Sequence, residues 1–238
     1  MLYQWLTLWG YVPDFIHAAW LTLQVTLLSF LLAIALGLSA ALAGASPILA
    51  LRAVARGYIE LIRNTPVLLQ IFIVFFGLPS LGAHLSAYTA GVIALGVNVG
   101  AYLAEVFRAG IQSVPRGQIE AASLLGLQRS QIFLSVVLPQ AARAVYPAIV
   151  NNLIQLLLGT SLLSAIALPE LTGTAIVINS RTLLYIQTFS ITLVAYLVLS
   201  NVLSWLAERI GAKAFHPPLA MPRRTRRGFP FLRQAHRT

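Results

Sequence analysis

The sequence predicts an all-α membrane protein with about five transmembrane helices, and three observations carry that reading. Only 9% of its 238 residues are charged, far below the roughly 25% typical of soluble domains. Apolar residues make up 58% and the mean hydropathy is +0.83, which leaves little polar surface for a water-soluble globule. Five charge-free stretches each approach the ~20 residues a helix needs to cross a bilayer. No alternation of ~10 residues recurs, and an open sheet edge cannot be satisfied in lipid, so helices are the economical choice.

The first span lies within residues 18–51, broken near its end by Gly44 and Pro47. The second follows Arg63 and runs to about residue 81, the third covers 85–104, the fourth lies within 144–169 and the fifth within 182–207. Ahead of the first run stands only Asp14, with no basic segment, so the start does not read as a cleaved leader. Gly37, Gly44, Gly91, Gly96 and Gly100 read as packing residues. With no cysteine, disulfides, thiolate metal sites and thiol nucleophiles are excluded.

Charge placement sets a sidedness. Arg52, Arg56 and Arg63 lie between spans one and two, and Arg108, Arg116, Arg129 and Arg143 between three and four. Arg209, Lys213, Arg223, Arg224, Arg226, Arg227, Arg233 and Arg237 follow span five. Fifteen of the 16 basic residues thus share one side, with Arg181 alone opposite. The positive-inside rule then predicts the N-terminus outside and the C-terminus in the cytoplasm. The expected division is a membrane domain over 1–213 and a disordered basic tail over 214–238. That tail can meet anionic headgroups at about 1 kcal/mol per basic residue near the surface. No folded reader domain accompanies it, so nucleic acid is not an expected partner.

The longest loop on the arginine-rich side, residues 113–139, predicts two short helices with a turn. Ser113 is placed to cap the first and Pro115 lies in its first turn. Gly126 falls where a helix stops in the left-handed conformation, and Pro139 leads into span four. Ile119, Leu124, Leu125, Leu127, Ile132 and Phe133 give this loop more apolar surface than water should see. Such a surface suits docking into a groove on a partner. Glu120 near a helix start is favourable to the macrodipole.

These residues resemble a known family. Glu120-Ala121-Ala122, Gly126 ten residues before Val136, and Leu138-Pro139 look like the EAA loop of ATP-binding-cassette importer permeases, with Val136 in place of the usual Ile. "RNTPVLLQIFIVFFGLP", "NVGAYLAEVFRAGIQSVPRGQ" and "LPQAARAVYPAIVNNLI" are similar to the polar amino acid uptake subfamily of the histidine, glutamine and arginine type. The resemblance runs from about residue 18 to 210. It implies a multi-pass subunit of a bacterial inner membrane that forms half of a translocation pathway. It also implies a second permease subunit, two cytoplasmic ATPases that bind ATP and magnesium, and an extracytoplasmic solute-binding protein. The chain itself then needs no cofactor and is not an enzyme. Glu120, Ala121, Ala122, Gly126, Leu138 and Pro139 become the expected ATPase-coupling residues. Other small polar solutes, such as an opine or a sulfur amino acid, remain alternatives.

The residues themselves agree with a non-catalytic role. No H-E-x-x-H, G-x-S-x-G or P-loop occurs, and His17, His84, His216 and His236 are too scattered for a metal cluster. A secondary transporter should show internal repeats, and none is visible. Polar residues inside spans are functional candidates. These are Gln70, Asn98, Glu105, Thr160 and Ser161 for the solute pathway, with Asn151, Asn152 and Gln155 in span four. Interhelical hydrogen bonding is the plain alternative for the amides, and pairing with Arg108 at i+3 for Glu105. Where the subfamily often carries Lys-Asp-Thr-Ser-Leu, this chain has Leu158-Gly159-Thr160-Ser161-Leu162. Gln128 stands where Ser or Thr is frequent, which weakens the second helix cap unless Ser130 replaces it.

Overall fold

The computed structural model describes residues 2–82 and 84–215, and every regular element among them is helical. The tail from 216 onward, with His216 and His236, lies outside the described residues. A short helix α1 (Leu2–Trp9) precedes α2 (Val12–Gly44), which carries Pro13 in its first turn, where no amide is needed. Then come α3 (Leu49–Arg63) and α4 (Val67–Phe72), the latter continued by a π-turn (Ile73–Gly77) and a 3-10 turn (Leu78–Leu81). The central helix is α5 (Ala87–Gln112), capped by Ser86, whose hydroxyl accepts from the Thr89 amide at 3.1 Å. The hairpin α6 (Arg116–Leu124) and α7 (Arg129–Ile132) passes through a π-turn (Phe133–Val137) into α8 (Leu138–Gly159) and a 3-10 segment (Thr160–Ile166). The chain ends with α9 (Leu171–Thr182) and α10 (Tyr185–Ala214).

Four of the described helices are long and apolar enough to cross a membrane, and the count reaches five when the bent pair α3–α4 is one span. The second span differs most from expectation. Residues 52–63, read as a loop, belong to a helix that starts at Leu49, and the chain then turns by 108° at 64–66. Pro66 explains the break, since the residue before a proline, here Thr65, is disfavoured in the α region. The following helical run of 14 residues, Val67–Ser80, rises about 21 Å, short of the ~30 Å hydrocarbon core. In the opposite connection α9 is a second helix that hydropathy did not announce.

Helix α5 is the hub, packed on α2, α8, α3 and α4. Small residues permit the close approach that membrane packing relies on. A Cβ on Gly37 would sit 2.8 Å from the Leu103 Cβ and 2.9 Å from the Gly100 carbonyl. Gly91 and Gly96 sit equally tightly against Leu163 and Leu32, whereas Gly44, expected to pack, has open space around it. One core joins Val25, Ile71, Ala90, Ala94, Leu95 and Leu163, and a second seals the far end with Leu8, Phe15, Leu171 and Ile178. Exposed Trp9 and Trp20 mark that far end. Trp205, under the guanidinium of Arg209 at 4.8 Å, marks the other, as interfacial aromatics do. Gly110 of α5 abuts Val145, and Gly211 of α10 abuts Tyr146. The ends carrying Arg108, Arg143 and Arg209 therefore gather on one side, while Arg181 on α9 lies by the opposite core.

Candidate functional site

The hairpin 113–139 is a built structure with its own core. Val114, Ala122, Ile132, Val137 and Ala141 are buried together, joining the hairpin to the end of α5 and the start of α8. Ala122 is the small residue at the contact, while Glu120 and Ala121 face solvent. Gly126 has φ +81°. Its amide bonds to the Ser123 carbonyl at 3.0 Å and the Leu127 amide to the Ala122 carbonyl at 3.3 Å, which satisfies the last carbonyls of α6. The Gln140 side chain donates to Gln118 at 2.6 Å and to the Val136 carbonyl at 2.8 Å, tying α6 to α8 beside Leu138 and Pro139.

Three expectations change here. Ser113 does not cap α6; its hydroxyl donates to the Gly110 carbonyl at 2.7 Å and closes α5. Glu120 is the fifth residue of α6, beyond the first turn in which the macrodipole acts, and it makes no ion pair among the described residues. Gln128 does not weaken the second cap: its amide donates to the Gln131 side chain at 2.8 Å, so Ser130 is not needed. At the tip, Leu124 and Leu125 are 89% and 82% exposed, held out by a hairpin with no slack.

The polar residues of the spans form two groups. Gln70 and Asn98 meet, the Asn98 amide donating to Gln70 Oε1 at 2.9 Å. Gln70 Nε2 donates to the Ile62 carbonyl at 2.8 Å, to the Thr65 carbonyl at 3.2 Å and to Thr65 Oγ1 at 2.8 Å, serving acceptors at the end of α3. Two turns along α5, Glu105 binds Arg108 through Oε1 at 3.2 Å and Oε2 at 2.5 Å, and Arg63 of α3 stands 4.0 Å away. Thr160 and Ser161 are not with them. Thr160 is fully buried, donates to the Leu157 carbonyl at 2.7 Å, and lies by Tyr196. Ser161 donates to Leu158 at 2.8 Å. Asn152 bonds back to the Ala148 carbonyl at 2.8 Å.

The second group holds a residue the sequence reading missed. Glu170 is fully buried at the N-terminus of α9. Its carboxylate accepts from the Gly173 amide at 2.8 Å, the Thr172 amide at 3.0 Å and the Tyr196 hydroxyl at 2.6 Å. Burial pushes its carboxyl upward, against the pull of those three donors. Thr22 of α2 accepts from the Leu171 amide at 3.2 Å beside it. The signal available was an acidic residue after Leu168-Pro169 and before an apolar run, a helix-start pattern. Among the described residues no cluster could hold a metal.

The arrangement defines a polytopic α-helical membrane protein with a packed surface hairpin between spans. Residues 33–216 match the family described as the binding-protein-dependent transport system inner membrane component, and the chain belongs to that family. Relatives include the probable glutamine ABC transporter permease protein GlnM of Bacillus subtilis, 36% identical over 82% of this chain and 88% of the relative. The L-cystine transport system permease protein TcyB of the same organism is 38% identical, over 79% and 83% of the two chains. A crystal structure of an amino acid ABC transporter with histidines is similar at TM-score 0.83 and 37% identity, covering 88% of this chain and 98% of that one. The inward-facing MetNI methionine ABC transporter shares the fold at TM-score 0.70 and 21% identity, over 87% and 98%.

Proposed function

We propose that this chain is the permease subunit of an ATP-driven amino acid importer and docks its ATPase through residues 120–139. The observation that carries the reading is the hairpin tip. Two leucines stand almost fully exposed on two helices locked by the Gly126 turn and by Gln118–Gln140. An apolar point that water should not see, held stiffly and joined through a continuous helical run to span four, suits a groove on a cytoplasmic partner. Glu120, Ala121, Ala122, Gly126, Leu138 and Pro139 then form, shape and anchor the coupling element.

The substrate class follows the relatives, which are described as glutamine, cystine and arginine permeases. The N-terminus lies outside and the C-terminus in the cytoplasm, the reading supported by the arginine-rich ends gathered beside the hairpin. ATP and magnesium bind the partner ATPases, and an extracytoplasmic binding protein delivers the solute. A second permease completes the passage. Two relatives in one organism, GlnM and GlnP, are each described as a probable glutamine permease. Asn98, Gln70 and Glu105 line this subunit's part of the passage, whereas Thr160 and Ser161, whose hydroxyls are given to the Leu157 and Leu158 carbonyls, stand apart from it.

The deciding experiment replaces both Leu124 and Leu125 by Asp and measures solute-stimulated ATP hydrolysis after co-purification. Neither side chain supports the fold, so insertion should be normal while ATPase association is lost. Wild-type association and uptake would show that the hairpin is only a linker.

A further inference from the structure

We propose that the cleft between the end of α3 and the middle of α5 binds the charged backbone of a free α-amino acid on the arginine-rich side. This inference deepens the importer reading and rests on it. The cleft has a volume of about 240 Å³ and is lined by Ile59, Glu60, Arg63, Asn64 and Tyr102. That is somewhat below the ~300 Å³ at which drug-sized pockets begin, which is room on the scale of an amino acid.

The polar valence in this cleft is mostly unspent. Glu60 has no cation within ion-pair distance, and the Asn64 side chain and the Tyr102 hydroxyl have no hydrogen-bond partner among the described residues. Among the described residues the one ion-pair partner of Arg63 is Glu105, at the 4.0 Å limit, and Glu105 is already held by two bonds from Arg108. The Arg63 guanidinium lies 5.3 Å over the Tyr102 ring, which fixes its plane while leaving its edge donors free. A planar fork of donors fits a carboxylate with two parallel bonds. One helical turn away, Glu60 and the neutral oxygens of Asn64 and Tyr102 fit an ammonium group. Glu60 and Arg63 are i, i+3 neighbours on one helix face, roughly 5–6 Å apart at Cβ. A ligand carrying both charges on one carbon satisfies both at once, whereas an amine or an anion alone satisfies half.

The position gives the site a use. Tyr102 stands one turn from Asn98 and nearly one turn from Glu105 on α5, so the cleft lies at the arginine-rich end of the polar column of the span. An amino acid that accumulates on that side fills the cleft, wedges α3 against α5 and slows further import.

Saturation-transfer NMR on the full chain in nanodiscs tests the site, with L-arginine, L-glutamine and agmatine, which is arginine without its carboxylate, as probes. Both amino acids should bind, agmatine at least tenfold more weakly, and Arg63→Gln should weaken L-arginine at least tenfold. Glu60→Gln should do the same while leaving the Arg63–Tyr102 stack in place, so collapse of the helix end cannot account for its loss. The proposal is overturned if agmatine binds as well as arginine, if both variants bind like wild type, or if neither amino acid binds. A parallel assay of ATP hydrolysis with ATPase and solute-loaded binding protein tests the importer reading separately. Absence of stimulation there sinks that reading without touching the NMR outcome.

Discussion

Asn98 on α5 donates its amide to Gln70 on α4 at 2.9 Å, and Gln70 passes the connection on to the Ile62 carbonyl at 2.8 Å. One side chain thus clamps the 108° bend of the second span to the central helix. The bend needs such a clamp, because broken helix ends leave backbone carbonyls unpaired and lipid supplies no donor.

Gln70→Ala should therefore cost more than Asn98→Ala. The first removes the Gln70 donor from the Ile62 and Thr65 carbonyls as well as the bond to Asn98, at about 0.5–1.5 kcal/mol for each bond lost. The second removes a single interhelical bond, about 0.6 kcal/mol on average in membranes. Thermal unfolding in detergent gives the ranking, and equal losses would mean that the bend holds itself.

At the hairpin, Gly126→Val forces a β-branched residue to φ +81°, at ~1–2 kcal/mol. Open space surrounds the position, so the penalty is one of backbone conformation and not of a clash. The expected outcome is normal membrane insertion with at least tenfold lower solute-stimulated ATP hydrolysis. Gly126→Asn, which tolerates the left-handed region better, should restore most of it.

Glu170→Gln keeps the shape of the buried cap but turns one acceptor into a donor. Either Thr172 or Gly173 then faces an N–H with its own amide, which costs about 1–3 kcal/mol. Tyr196→Phe removes the hydroxyl's contacts with Glu170 and with Thr172 Oγ1 but leaves both amides served, so it should be the milder change. Reversed order in a thermal-shift series would show that the hydroxyl, and not the helix cap, holds α9 in place.

Topology is testable because the chain contains no cysteine. A cysteine at Ser180, exposed on α9, should react with an impermeant maleimide in intact cells. One at Ser130 on α7 should react only after the membrane is opened. Ser180 serves better than Ser86, whose hydroxyl caps α5. The opposite labelling pattern would invert the orientation proposed here.

Uptake should require a second permease. Leu158 and Gly159 leave this chain without the charged pair that the resemblance led one to look for, and Leu158 is exposed at the end of α8. Reconstitution with ATPase and binding protein alone should give less than a tenth of the uptake seen when a second permease is added. Robust solute-specific uptake from that minimal set would establish a homodimer.

By itself the sequence determined what depends on short windows. Charge-free runs marked four spans and the second limb of a bent fifth, because the hydrophobic effect acts on each stretch separately. The spacing Glu120-Ala121-Ala122, Gly126, Leu138-Pro139 marked a two-helix hairpin, because only glycine adopts the left-handed turn at little cost. Even the Glu105–Arg108 pair was legible, being one turn apart on a single helix. Tertiary structure decided which distant groups meet. Gln70 and Asn98 lie 28 residues apart, and Thr22 reaches Leu171 across 149. The helix over 49–63 was hidden by its arginines, which are charged but lie along an amphipathic helix that rests on α2 and α5. Glu170 went unmarked in the sequence because its role appears only when the fold buries it and leaves its carboxylate to three donors, one of them Tyr196 of α10. Local pattern sets which segments are helical, but polar partners are chosen only when the helices pack and water is gone.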